Sequence, residues 1–295
     1  MKYLFIIAFL FSICGFSMAQ TYSYANIEGH LRTLSSDSFQ GREIDTQGGA
    51  MAREYLIRQL DSLRLAPLDS VRLQPFSVIN PMKKRKLNGQ NILAAIPGTE
   101  ADSSWVIVTA HYDHVGVGDK GVYNGADDNA SGTCALLAIG EHFISKPPKH
   151  NVLLVWFDGE ETGLIGSKSF VDNLPLPKES IIANINCDMV GRNKKDEIYL
   201  CGEKHHPELF AALEGIEDES PLIVLRGHDG SDRKDDWTYA SDHANFHREG
   251  IPFCYIGVED HPDYHRTTDD FDKINSAFYQ SAVDLCIAIV DRIAN

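Results

Sequence analysis

Little in this chain is basic: 27 lysines and arginines stand against 42 aspartates and glutamates, a formal net charge of -15 over 295 residues. So acidic a surface repels nucleic-acid phosphates and anionic lipid headgroups, and neither is an expected partner. No apolar run of membrane-spanning length follows the first twenty residues, and there is no internal repeat or low-complexity block. The six cysteines form no C-x-x-C pair, which argues against a thiolate zinc site or a thioredoxin-like motif. The GEETGLIGS segment has glycines but not the lysine or the spacing of a phosphate-binding P-loop.

The chain opens with MKYLFIIAFLFSICGFSMAQ, in which Lys2 precedes an apolar run too short to span a bilayer comfortably and Ser17-Met18-Ala19 supplies the small-x-small cleavage pattern. The expectation is a signal peptide over residues 1–19, a single domain over 20–295, and export to the periplasm or the medium. Lipid attachment at Cys14 is the weaker reading, because bulky Ile13 stands where a small residue is needed. Cleavage removes Lys2 and no acid, so the charge of -15 becomes -16. Cys134, Cys187, Cys201, Cys254 and Cys286 remain, four of them in apolar segments as buried thiols are. In an oxidising compartment one pair could bridge.

Helical spacing of apolar residues marks Asn26 to Leu34 and Ala50 to Leu63, with the turn-rich QGREIDTQGG between them. Short apolar runs follow: NILAAI, SWVIVTA, NVLLVWF, IIANIN and PFCYIG. The middle three are apolar on consecutive positions, as strands covered on both faces are. SGTCALLAIGEHFISK and SAFYQSAVDLCIAIVDRI read as helices. Strands alternating with helices predict a three-layer α/β/α sandwich with a mixed, mostly parallel central sheet, whose chemistry belongs at the carboxyl ends of the strands.

Those ends carry acids and histidines. His111 and Asp113 follow one strand, Asp127 and Asp128 lie in the next loop, and Asp158, Glu160 and Glu161 follow NVLLVWF. Asp188 ends IIANIN, and His261, His265 and Asp269 come after PFCYIG. Adjacent carboxylates at the end of a buried strand repel unless a cation, a proton or solvent neutralises them. Imidazoles mixed with carboxylates suit zinc rather than magnesium or calcium.

In this order AHYDH, NGADDNASG, FDGEETGLIGS, NCDMVG, SDHANF and DYHRTTDD resemble the motifs of the di-zinc aminopeptidases of peptidase family M28, and GREIDTQGG resembles the lead-in loop of bacterial members. The resemblance runs from Asp37 to Asn275. It implies two Zn2+ per chain, one held by His111 and Asp188, the other by Glu161 and His265, with Asp128 bridging. It also implies Glu160 as general base, Asp113 as the acid that orients His111, and Tyr264 as a donor to the oxyanion. The implied reaction is removal of N-terminal residues from peptide substrates by hydroxide shared between two metals. A glutaminyl-peptide cyclotransferase of the same fold with one zinc, and a metallocarboxypeptidase, are the alternatives. A non-catalytic binding module fits poorly, because every ligand and the base are present.

Other acids and histidines have plainer expected roles. Asp127 is read as a cap for the helix near Ser131, and Asp158 as an orienting or turn residue. His114, His205, His206, His228 and His247 are read as solvated. Asp242 and His243 are read either as pocket-lining or as a buried structural pair.

Overall fold

The computed structural model describes residues 21–80, 84–101 and 104–295, so the expected signal peptide lies outside the described residues. Two helices come first, α1 (Tyr24–Leu34) and α2 (Gln47–Ser62). Ser23 and Thr46 cap them, each accepting from a backbone N–H three residues on. The strands are β1 (Leu73–Asn80), β2 (Arg85–Ile96), β3 (Trp105–His111), the small hairpin β4 (Gly116–Gly118) and β5 (Gly121–Tyr123), β6 (Asn151–Phe157), β7 (Ile181–Cys187), β8 (Glu197–Cys201), β9 (Ile223–Arg226) and β10 (Phe253–Gly257). Between and after them lie α3 (Gly132–Ser145), α4 (Ile165–Asp172), α5 (Pro207–Ala211), α6 (His243–Arg248) and α7 (Ser276–Ala294).

Eight strands form one sheet in the order β1-β2-β6-β3-β7-β10-β8-β9. Pairings β3–β6, β3–β7, β7–β10 and β8–β9 are parallel, while β1–β2, β2–β6 and β8–β10 are antiparallel. The three strands read as covered on both faces, β6, β3 and β7, lie together at the centre.

Alternation along β6 shows why two layers of helix are needed. Val152, Leu154 and Trp156 pack into the core shared with α1, α2, α3 and α7, whereas Leu153, Val155 and Phe157 pack on the opposite side with Phe170 of α4 and Phe246 of α6. Each such fully buried side chain stabilises by roughly 1.5–3 kcal/mol, so the strand ends rest on a rigid base.

Candidate metal centre

Four strand exits deliver side chains to one place. His111 is the last residue of β3, Asp188 follows β7, Glu160 and Glu161 follow β6, and His265 lies in the loop after β10. Asp128 comes from the segment between β5 and α3, where its φ of -103° and ψ of 96° depart from helix.

Arg42 fixes that segment from below. It is buried, and its guanidinium donates to the carbonyls of Tyr112 (2.9 Å), Leu34 (2.9 Å), Asn124 (2.6 Å) and Gly125 (2.9 Å). Asp269 accepts from the N–H groups of Asp127 and Asp128, and Asn129 donates to the carbonyl of Cys187 at 3.0 Å, tying the loop to the strand that ends at Asp188.

His111 Nε2 lies 3.4 Å from Asp128 Oδ1 and 3.3 Å from Asp188 Oδ1. His265 Nε2 lies 3.1 Å from both Asp128 Oδ2 and Glu161 Oε2. Asp128 thus faces two separate groups with its two oxygens. His111, Asp128 and Asp188 offer ligand atoms within 4.8 Å of one another, and so do His114, Asp128 and Glu161.

Buried His111 Nε2, Asp128 Oδ2, Glu161 Oε1 and Asp188 Oδ1 make no hydrogen bond. An unsatisfied buried polar atom costs about 1–3 kcal/mol. Four of them converging is the signature of a site that fits divalent cations, and the mixture of imidazole and carboxylate is the donor set zinc takes.

Electrostatics agree with this reading. Burial lifts the Glu160 carboxyl well above its ordinary range, His111 opposes, and nearby Asp242, Asp188 and Glu161 add to the rise. Glu161 goes the other way: burial and Asp128 push it up, but His114 and His265 outweigh them and hold it below its ordinary value. Burial lowers His265, yet Asp128 and Glu161 overcome that and raise it to about 10. Protonated His265 thus supplies part of the positive charge that bound cations would otherwise bring.

Several expectations change. His114 is not solvated: it is buried, with Nδ1 2.6 Å from Glu161 Oε1, although both atoms lack hydrogen-bond geometry. Its position in AHYDH, three residues after His111, was the available signal. Asp113 orients His111 through its backbone carbonyl, 3.1 Å from Nδ1, whereas its Oδ1 is 3.6 Å away and instead accepts from the Glu160 N–H at 3.0 Å. Asp127 is no helix cap. Its carboxylate accepts from Gly191 N–H at 2.6 Å and faces His261 Nε2 at 3.0 Å.

Asp158 does orient its surroundings, accepting from Gln90 N–H at 3.0 Å. Asp242 and His243 are fully buried, and His243 Nε2 reaches the Trp237 carbonyl (2.8 Å) rather than its neighbour's carboxylate. His228 is buried, and His205, His206 and His247 are half-buried with their rings in mutual contact, because tertiary packing covers histidines that carry no local signal. All five described cysteines are buried and free.

The centre opens into a cavity of about 60 Å³. Glu160, Asp188 and His265 line it, and so do Met189, Trp237, Tyr255 and Val258. Tyr264 lines it too, stacked on His265 with ring centroids 3.9 Å apart.

Fold and cluster define an α/β protein with a metal-binding centre at the carboxyl edge of its sheet. Residues 91–290 match the sequence model of peptidase family M28, and the chain belongs to that family. It is 32% identical over 201 residues to the aminopeptidase YwaD of Bacillus subtilis, covering 63% of this chain and 40% of that protein. It is 27% identical over 248 residues to a probable leucine aminopeptidase of Trichophyton verrucosum, covering 79% and 60%. The chain therefore spans less than two thirds of the length of either relative.

Among solved structures, the zinc aminopeptidase BSAP of Bacillus subtilis shares the fold at a TM-score of 0.76 and 16% identity, covering 92% of this chain and 95% of that one. A glutaminyl cyclase of Porphyromonas gingivalis shares it at 0.75 and 19%, covering 92% and 99%. Both likenesses are of fold alone.

Proposed function

We propose that the chain is an exported aminopeptidase that works with two zinc ions. The observation that carries this is the convergence of four buried, unbonded ligand atoms around Asp128, whose two oxygens face His111 and His265 separately. His111 and Asp188 would hold one ion and Glu161 and His265 the other, with Asp128 between them and His114 against Glu161. Zinc in such a place supplies an activated water near neutral pH and polarises the scissile carbonyl.

This chain's residues supply the rest. Glu160 is the general base that takes the water's proton and returns it to the leaving amine. The Asp113 carboxylate holds the Glu160 backbone, and burial keeps its carboxyl proton-hungry. Asp113 also aims the His111 ring, fixing the tautomer that leaves Nε2 free. Tyr264 keeps its proton, because burial and the surrounding acids raise it above the ordinary phenol, so it can donate to a developing oxyanion.

The names of the sequence relatives support the aminopeptidase reading over the cyclase, and the fold likenesses do not separate the two. The test is one substrate panel of aminoacyl amides, N-terminal glutaminyl peptides and C-terminally blocked and free peptides. Release of N-terminal residues is expected. Pyroglutamate formation without hydrolysis would favour the cyclase, and release from the C-terminus a carboxypeptidase. Export predicts that the mature chain starts at Gln20, and a lipid on Cys14 in the purified protein would contradict that.

A further inference from the structure

The loop from Gly227 to Ala240 reaches the cavity through Trp237 and Ala240. Trp237 is gripped closely. Its ring lies flat on His228, with centroids 3.7 Å apart and planes at 2°, while Tyr199 and Tyr255 meet it edge-on at 5.5 Å and 5.8 Å. The Trp237 backbone N–H donates to the His228 carbonyl at 2.6 Å, so the loop closes on itself at this pair.

His228 is itself over-determined. Its backbone has a φ of 55°, its N–H donates to Asp232 Oδ2 at 3.0 Å, and its Nδ1 faces the Asp235 carbonyl at 2.9 Å. Tyr199 packs edge-on against its ring at 4.5 Å. His228 is only 2% exposed and lines no part of the cavity, so it has no reach to a substrate and covers one face of the indole. His228 is buried and Trp237 half-buried, and a stack on a buried ring holds an orientation that an unsupported loop tryptophan would lose.

We propose that Trp237 is the specificity-determining wall of the cavity, reading the side chain of the residue to be removed, and that His228 is the positioning residue that sets it. The inference rests on the aminopeptidase reading for its substrate. Trp237 lines the cavity together with Met189, Tyr255 and Val258, and its own ring contacts are with His228, Tyr199 and Tyr255, none of them a proposed metal ligand. Side-chain preference should therefore change without change to the chemistry.

The test uses the zinc-loaded full chain with leucyl, phenylalanyl and alanyl p-nitroanilides. For His228→Ala, KM for leucyl and phenylalanyl substrates should rise roughly two- to tenfold, as expected for loss of an aromatic stack. Its kcat should stay within about twofold, and the alanyl substrate should barely respond. His228→Phe, which keeps a ring against the indole, should restore KM. Trp237→Ala should abolish the preference for leucyl over alanyl substrate.

Equal loss of kcat on all three substrates, or an unchanged leucyl-to-alanyl ratio in Trp237→Ala, would overturn the proposal. Wild-type protein that hydrolysed none of them would count against the aminopeptidase reading instead. The clamp would then still be decided by iodide quenching of Trp237 emission, isolated as the difference between each protein and its Trp237→Phe counterpart. Quenching should rise in His228→Ala and not in His228→Phe, and no rise in His228→Ala would overturn the positioning role.

Discussion

Glu160 and Glu161 are consecutive and both largely enclosed, yet their environments divide them. Burial raises both carboxyls, but Glu161 has His114 and His265 to hold it ionised, while Glu160 has Asp242 and Asp188 nearby to keep its proton affinity high. Glu160→Gln should therefore lose activity by about 10²–10⁴-fold or more with zinc content unchanged. Glu161→Gln should lose zinc, and added zinc should recover part of its activity. Zinc titration and assay of the two variants side by side would check this, and the reverse pattern would exchange their roles. The pair was legible in the sequence because it follows an apolar strand. The only sequence signal for His114 was its place in AHYDH, since its partner Glu161 lies far along the chain and only folding brings the 2.6 Å contact. The Asp113 carboxylate likewise gave no sign that it serves the Glu160 backbone rather than the His111 ring.

At the level of elements, the long central strands and amphipathic helices were readable because their burial is set by local pattern: β6 is apolar from Val152 to Phe157, β3 has an apolar run from Trp105 to Val108, and α1, α2, α3 and α7 show the helical repeat. The short strands β8 and β9, of which β9 is an edge, and the helices α4, α5 and α6, were not read, because so few residues carry little periodicity and their place is settled by packing and loop closure. The segment that carries Asp128 depends on non-local bonds, among them the two that Arg42 donates to Asn124 and Gly125 while its other two tie in Tyr112 and Leu34. Arg42→Ala should lower unfolding stability by about 3 kcal/mol, because four carbonyls lose a charged donor. Arg42→Lys should rescue little, having a point charge in place of a planar fork. Urea unfolding of the zinc-loaded proteins measures the loss, and a change below about 1 kcal/mol would mean that the loop holds itself.

Taken as a whole molecule, the protein buries more carboxylates around this centre than it can neutralise alone. Burial raises Asp158, Asp242 and Asp269 to about 7, and His265 stands raised to about 10. Groups raised in the folded state stabilise it below their unfolded values and lose that contribution as pH climbs through the folded ones. Metal-free protein should thus become less stable from the ordinary carboxylate range up through about 7, and again towards about 10 as His265 loses its proton. At neutral pH, zinc at a hundredfold over its Kd should restore about 2.7 kcal/mol per ion, visible as a rise in Tm that depends on zinc concentration. A metal-free protein whose Tm rose steadily over the same pH range would contradict this. Zinc content against activity during stepwise reloading of metal-free protein decides how many ions the centre uses. A plateau at two zinc ions per chain is expected, with hydrolysis of an aminoacyl substrate still increasing as the second ion binds. Full activity at one tightly held ion, with no further binding, would contradict it.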